Sequence, residues 1–238
     1  MSNALNRRLA KELQTGDCAI SEDCDDYSTE QAQRSKPVYF FVKRLFDILF
    51  SLIVLVPFLP IWLIIAICVS VDTKATPVYV QKRVGKGGKP FSILKFRTMV
   101  KDSDNIEKYL SGADLETWKR ERKVDDDPRI TRVGRFLRMS SLDEIPNFIN
   151  VLTGSMSVVG PRPITSDELQ AFGDEKEKFL SVRPGITGWW QVEARNNADF
   201  ESGSRQKLEL FYCDNASFSL DLKIFFKTFA AVFSGSGK

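Results

Sequence analysis

Ile48–Val71 reads ILFSLIVLVPFLPIWLIIAICVSV, 24 residues without a charge. That length meets the threshold for a membrane-crossing helix, roughly 20 apolar residues. Two features argue against a simple span. Pro57 and Pro60 sit at its middle, where each removes a backbone donor and kinks the helix. Both flanks are also basic: Lys43 and Arg44 before it, and Lys74, Lys82, Arg83, Lys86 and Lys89 after it. A spanning helix concentrates Lys and Arg on one side. The run is therefore read as re-entrant: it enters a membrane, turns at Pro57–Pro60 and returns. Each leg of about 10–12 residues reaches about 15–18 Å, near mid-bilayer. The competing reading is a proline-kinked span.

Working outward, the chain divides into a polar tail over 1–36, the membrane segment over 37–72 and a catalytic domain over 73–238. The tail holds seven Asp and Glu against five Lys and Arg, with no sustained apolar period, so it is read as flexible. No apolar core follows its early arginines, so it is not read as a signal peptide. The net charge of +3 is too small to argue for nucleic acid. The body is the basic part, which suits phosphate-bearing partners or an anionic membrane face.

The 238 residues contain no histidine. This excludes Ser-His-Asp and Cys-His catalysis and His-containing metal sites. Of the four cysteines, Cys18, Cys24, Cys68 and Cys213, none forms a CxxC pair. They are read as reduced thiols of a cytoplasmic protein.

Pro77–Val84 and Pro90–Met99 read as strands around a Gly85–Gly88 turn. Helical spacing predicts helices over Lys101–Lys123, Val133–Met139, Ile145–Leu152, Thr165–Phe179, Ser204–Tyr212 and Ser219–Phe233. Arg183–Val192 reads as loop or strand. The last helix carries Leu220, Leu222, Ile224, Phe225, Phe226, Phe229 and Phe233, which suits a membrane interface or a core.

The sharpest local signal is Ser140-Ser141-Leu142-Asp143-Glu144-Ile145-Pro146. Ser141 with Glu144 three residues on fits a capping box. Pro146 conflicts with that register, whereas a helix beginning at Asp143 puts Pro146 harmlessly in the first turn. Asp143 would then sit at the positive helix end, ionised and able to act as a nucleophile. Upstream, Arg129, Arg132, Arg135 and Arg138 recur every third residue. Guanidiniums suit bidentate phosphate recognition, and the same row would serve as a basic face near lipid headgroups. Lys95 and Arg97 alternate to one side of their strand. Arg162 is held between Pro161 and Pro163, and Arg183 precedes Pro184-Gly185; each is a rigid phosphate clamp or an ordinary turn.

Lys43-Arg44-Leu45-Phe46-Asp47, Lys95–Met99, Ser141-Leu142-Asp143-Glu144, Gly160-Pro161-Arg162-Pro163, Arg183-Pro184-Gly185-Ile186-Thr187-Gly188-Trp189 and Leu220-Asp221-Leu222-Lys223 occur in that order. Together they resemble the bacterial sugar transferases, the monotopic phosphoglycosyl transferases that initiate surface glycan assembly. The resemblance covers Lys43 to Phe233. It implies a small α/β catalytic domain on the cytoplasmic face of the inner membrane, with a re-entrant helix and interfacial amphipathic helices. It also implies a ping-pong reaction. Asp143 attacks the phosphorus bonded to the sugar of a UDP-sugar and expels UMP; undecaprenyl phosphate then takes the phosphosugar.

By the same resemblance, Glu144 positions or deprotonates the acceptor, and Asp143 and Glu144 bind Mg2+. Lys95, Arg97, Arg138, Arg162, Arg183, Gln191 and Arg195 are the expected substrate-binding residues. The products would be exopolysaccharide, O-antigen or capsule. Membrane lipids are expected partners, nucleic acid is not, and a homodimer is left open. The chain departs from the family pattern at Leu59-Pro60, where Ser-Pro is common, and at Trp190–Asn196, a segment that bears on the donor sugar. It is read as a short form with an added acidic tail. A membrane-anchored scaffold and an aspartyl-phosphate phosphohydrolase are the competing functions.

Overall fold

The computed structural model describes residues 36–121, 124, 126–194 and 203–233. The polar tail therefore lies outside the described residues. Helix α1 (Pro37–Leu55) and helix α2 (Leu59–Thr73) meet at a 67° bend. Pro57 lies in the turn and Pro60 in the first turn of α2, where a missing N–H leaves no bond unmade. Among the described residues no single helix is long and apolar enough to cross a membrane; only this bent pair passes, taken together. Its outer faces expose Phe41, Leu49, Ile53, Phe58, Leu63 and Ile67, with others between. Exposed apolar side chains concentrated on one element mark an interaction surface.

Helix α1 begins eleven residues before the uncharged run, because tertiary contacts hold its polar half. Lys43 pairs with Asp221 at 2.6 Å, and Tyr39 and Tyr212 donate to the same carboxylate. Arg44 donates to the carbonyls of Val151 and Leu152. Asp47, 2% exposed, accepts from the Val158 N–H and the Ser157 hydroxyl. Farther along, Phe50 stacks with Phe46 and packs against Phe148 and Phe225.

Strands β1 (Val78–Val84) and β2 (Pro90–Phe96) form the expected antiparallel hairpin, with Tyr79 opposite Lys95 and Arg83 opposite Phe91. The charged segment beyond it is two helices, α3 (Ile106–Tyr109) and α4 (Gly112–Glu121), because Gly112 takes a positive φ of 54° between them. Helix α5 (Arg132–Met139) packs on α2 through Leu137, Trp62 and Val69. Helix α6 (Asn147–Thr153) leads into β3 (Ser157–Val159).

Thr165–Phe179 is not one helix. It divides into α7 (Ser166–Leu169), a 3₁₀ stretch and α8 (Lys176–Leu180), because Gly173 turns the chain at φ 51°, ψ −126°. Strand β4 (Gly185–Thr187) runs parallel to β3. The segment after it is helical, α9 (Trp189–Glu193), where loop or strand was expected. Helices α10 (Ser204–Asn215) and α11 (Phe218–Phe233) complete the chain. The main core gathers Ile93, Val151, Met156, Val158, Tyr212 and Ile224. The α/β reading therefore stands, with helices dominant and two small two-stranded sheets.

Candidate active site

Thr98, just past β2, organises one wall of the site. Its carbonyl accepts the Thr131 N–H at 3.1 Å. Thr131 in turn caps α5, accepting from the Gly134 N–H at 3.0 Å. Gly134 lets the helix backbone lie directly on Thr98. One turn on, Arg138 Nε donates to Thr98 Oγ1 at 2.9 Å. Strand end, cap and glycine together fix where the Arg138 guanidinium stands, and Asp143 is the opposing charge that acts on it most strongly.

Asp143 and Glu144 occupy a 3₁₀ turn, Leu142–Glu144, and not a helix start; α6 begins only at Asn147. Ser141 enters the turn in the left-handed region, φ 57°, ψ 16°, and its side chain caps nothing. Neither the capping box nor a helix beginning at Asp143 is formed. A non-glycine residue held at positive φ stores strain that the surrounding fold must offset, and such residues cluster at functional turns. Lys95 Nζ meets Glu144 Oε1 at 2.6 Å. Burial and the neighbouring Glu144 carboxylate push Asp143 up to about 6, while Lys95 and Arg138 pull it down. The turn thus holds two carboxylates in each other's field, which raises the Asp143 pKa where the expected helix end would have lowered it.

Arg129 is not part of a basic face. It is 4% exposed, bound through Nε and Nη2 to Asp127, and its Nη1 donates to the Ser103 carbonyl. Arg97 lies beside Lys95 as strand alternation requires; both flank Tyr79, with the Arg97 guanidinium 5.5 Å from that ring and its Nε bonded to the Thr76 carbonyl.

A second basic group surrounds Trp190. Arg205 lies 4.5 Å and Arg162 5.7 Å from its ring centre. The Arg162 N–H is shared between both oxygens of Glu209 at 3.2 Å, and Arg83 pairs with Glu168 at 2.9 Å. Gln191 donates to the Ile186 carbonyl at 3.2 Å, and its buried Oε1 has no partner; the same holds for Trp190 Nε1. On the hairpin, Lys95 lies opposite Tyr79 and Arg83 four residues further along that face, a separation of about 14 Å along the strand at about 3.4 Å per residue. Arg183 belongs to neither group; its Nε bonds the Gly154 carbonyl at 3.0 Å. Arg195 lies outside the described residues.

The sequence model of the family described as "Bacterial sugar transferase" matches residues 38–235. The chain belongs to the bacterial sugar transferases. Its relatives include the exopolysaccharide production protein ExoY of Sinorhizobium fredii, 39% identical over 83% of this chain and 88% of that one. The undecaprenyl-phosphate galactose phosphotransferase of Salmonella typhimurium is 41% identical over 83% of this chain and 41% of its own length. An Aeromonas hydrophila relative is named UDP-N-acetylgalactosamine-undecaprenyl-phosphate N-acetylgalactosaminephosphotransferase. It is 37% identical over 84% of this chain and 46% of its own length. The transferase thus spans most of the first relative and under half of the other two.

Among the described residues of this bacterial sugar transferase, no three Asp, Glu or Cys side chains converge as a metal cage. Mg2+ does not need one: it binds through one or two carboxylates, with waters and substrate phosphates completing its shell. Asp143 and Glu144 fit that demand. Burial first and then the neighbouring Glu144 carboxylate raise Asp143 to about 6, and a divalent cation would relieve the repulsion between the two.

The transferase site includes residues that sequence reading passed over. Thr98 was quoted only as part of a motif. Arg83, Glu168, Arg205 and Glu209 stand singly in sequence and converge only through the hairpin, α7 and α10. Glu209 is 1% exposed. Burial raises its carboxyl to about 7, against the lowering pull of Arg205 and the Arg162 N–H. An acid with a folded pKa above its unfolded value ionises first in the unfolded chain. Wild-type stability relative to Glu209→Gln should therefore fall from about pH 4.5 to about pH 7 and level off above. Melting temperatures of both proteins across that range test this; a difference that does not change with pH would refute it.

Proposed function

We propose that this transferase moves a sugar 1-phosphate from a UDP-sugar to undecaprenyl phosphate, at the cytoplasmic face of a bacterial inner membrane. The observation that carries the reading is the strained Asp143–Glu144 turn, with Lys95 bonded to Glu144 and the Arg138 guanidinium beside Asp143. An Asp143 oxygen attacks the phosphorus that bears the sugar. The phosphorus–oxygen bond to UMP breaks, and UMP leaves with that electron pair. The phosphate oxygen of undecaprenyl phosphate then attacks the same phosphorus, and the bond to Asp143 breaks, regenerating the carboxylate. Lys95 and Arg138 hold the charge that develops on the phosphoryl oxygens. Glu144 orients the acceptor phosphate and takes its proton. Mg2+, held by Asp143 and Glu144, would neutralise the diphosphate when bound.

Two further features support this reading. The Arg162–Arg205–Trp190 group suits the far end of an extended, anionic donor. The bent apolar pair supports a re-entrant placement, with both ends on one side and the acceptor phosphate near the headgroup plane. The two relatives named for undecaprenyl phosphate transfer galactose phosphate and N-acetylgalactosamine phosphate by their names. Their names support a reaction at the first membrane step of a surface polysaccharide.

The test is UMP release from a panel of UDP-sugars with Mg2+ and undecaprenyl phosphate. UMP from one sugar, with the phosphosugar recovered in the lipid fraction, is expected. Sugar phosphate appearing in water without acceptor would make the chain a phosphohydrolase. No UMP from any donor, with folded, membrane-bound protein, would overturn the transfer reading in favour of a scaffold.

A further inference from the structure

Beside the first turns of α1 lies a shallow open cleft, lined by Tyr39, Phe40, Lys86, Val182, Arg183 and Tyr212 among others. It shares no residue with the Asp143 turn or the Trp190 group. Three charged residues that also line it are engaged elsewhere. Lys43 is neutralised by Asp221, Arg44 holds the α6 carbonyls, and Asp47 accepts from Val158 and Ser157. Lys86 and Arg183 differ. Neither has a carboxylate partner among the described residues. Arg183 donates only its Nε, to Gly154, and the Lys86 ammonium rests 5.5 Å from the Phe40 ring centre.

The position of Lys86 is set by the hairpin tip, where Gly87 and Gly88 take φ of 64° and 73°. Burial, and then the Arg183 charge beside it, hold the Lys86 pKa below its ordinary value. Two like charges at one mouth repel, and an anion between them relieves that repulsion through charge-assisted hydrogen bonds. Phe40, Val182 and Ala216 line the cleft beside them, and the same turns of α1 expose Val38 and Phe41. A cationic pair beside exposed apolar side chains matches an anionic head on an acyl chain. Helix α1 has 19 residues, about 28 Å, whereas mid-bilayer depth is about 15 Å, so its first half would lie at headgroup level.

We propose that Lys86 and Arg183 bind the phosphate of an anionic membrane phospholipid at a site separate from the catalytic turn. The inference rests on the membrane placement proposed above. It is tested on the full chain in detergent micelles doped with phosphatidylglycerol, with retained lipid counted by native mass spectrometry. Wild type should keep one phosphatidylglycerol. Lys86→Gln with Arg183→Gln should lower the lipid-bound fraction at least tenfold. Lys82→Gln with Lys89→Gln removes the same charge from the same hairpin outside the cavity and should retain the lipid. Lys86→Gln alone disturbs no hydrogen bond and serves if the double variant fails to fold.

Equal loss in the control pair, or none in the cavity pair, would overturn the proposal. So would displacement by inorganic phosphate, which would mean a bare phosphate site, or preferential retention of added undecaprenyl phosphate, which would mean an acceptor site. UMP release on the same preparations separates the two readings. Lipid loss in wild type with UMP release intact refutes only the headgroup site. Retained lipid with no UMP release refutes only the transfer reaction.

Discussion

Asp143→Asn is expected to lower UMP release by at least ~10³-fold, with the protein still folded. The amide has no anionic oxygen to attack phosphorus and cannot form the acyl phosphate, so both half-reactions stop. The loss should appear in kcat as well as kcat/KM, because the missing bond is made only along the reaction. Stability should move the other way. Burial and Glu144 raise the Asp143 carboxyl to about 6. Above that pH its ionised form is held at a cost relative to the unfolded chain, and a neutral amide removes the cost. The melting temperature at pH 7.5 should therefore stay level or rise. A single-turnover assay with labelled UDP-sugar, beside a melting curve, reads both. Residual rates within tenfold of wild type would remove Asp143 from the role of nucleophile. A marked fall in melting temperature would mean that the carboxylate is structural.

Gly134→Ala should have the largest effect on folding. A Cβ at this position would stand 2.0 Å from the Thr98 carbonyl oxygen, 2.7 Å from its carbon and 2.8 Å from its Cα. All three are backbone atoms, so no rotamer change relieves the clash. Alanine gains up to about 1 kcal/mol over glycine in a helix interior, but overpacking against rigid backbone costs about 3 kcal/mol. A net loss of about 2 kcal/mol would lower the melting temperature by about 4–8 °C. Activity should fall too, because α5 must lift from Thr98 and take Arg138 with it. Thermal unfolding together with UMP release tests this. An unchanged melting temperature would show that α5 does not press on Thr98 as described.

Local signals carried much of this architecture. The prolines within an uncharged run marked the bend of α1 and α2. The Gly85–Gly88 turn marked the hairpin, and the period of apolar residues marked α5, α6 and α11. Asp143, Glu144, Lys95 and Arg138 were named from sequence, and the fold brings them to one turn. What stayed hidden depends on distant partners. The first half of α1 is helical because Lys43 meets Asp221, 178 residues away. Glu209 looks like any surface glutamate until α10 buries it beneath Arg162. Ser141 carries no residue-type signal for a left-handed φ, so the turn at Asp143 read as a helix start. The row of four arginines obeyed its period, yet Arg129 lies before the helix and is consumed by Asp127.

The double use of α1 limits how this protein can be taken apart. The helix that displays the apolar surface also carries Asp47, 2% exposed and bonded into β3, and Lys43, bonded to α11. It serves the exposed surface and the core together, so the apolar surface is not a separable module. Trimming residues 37–72 to obtain a freely soluble enzyme would remove a core helix and leave the Tyr212 cluster open. For the same reason, a foreign helix could replace α1 only if it reproduced Tyr39, Lys43, Arg44 and Asp47 in register.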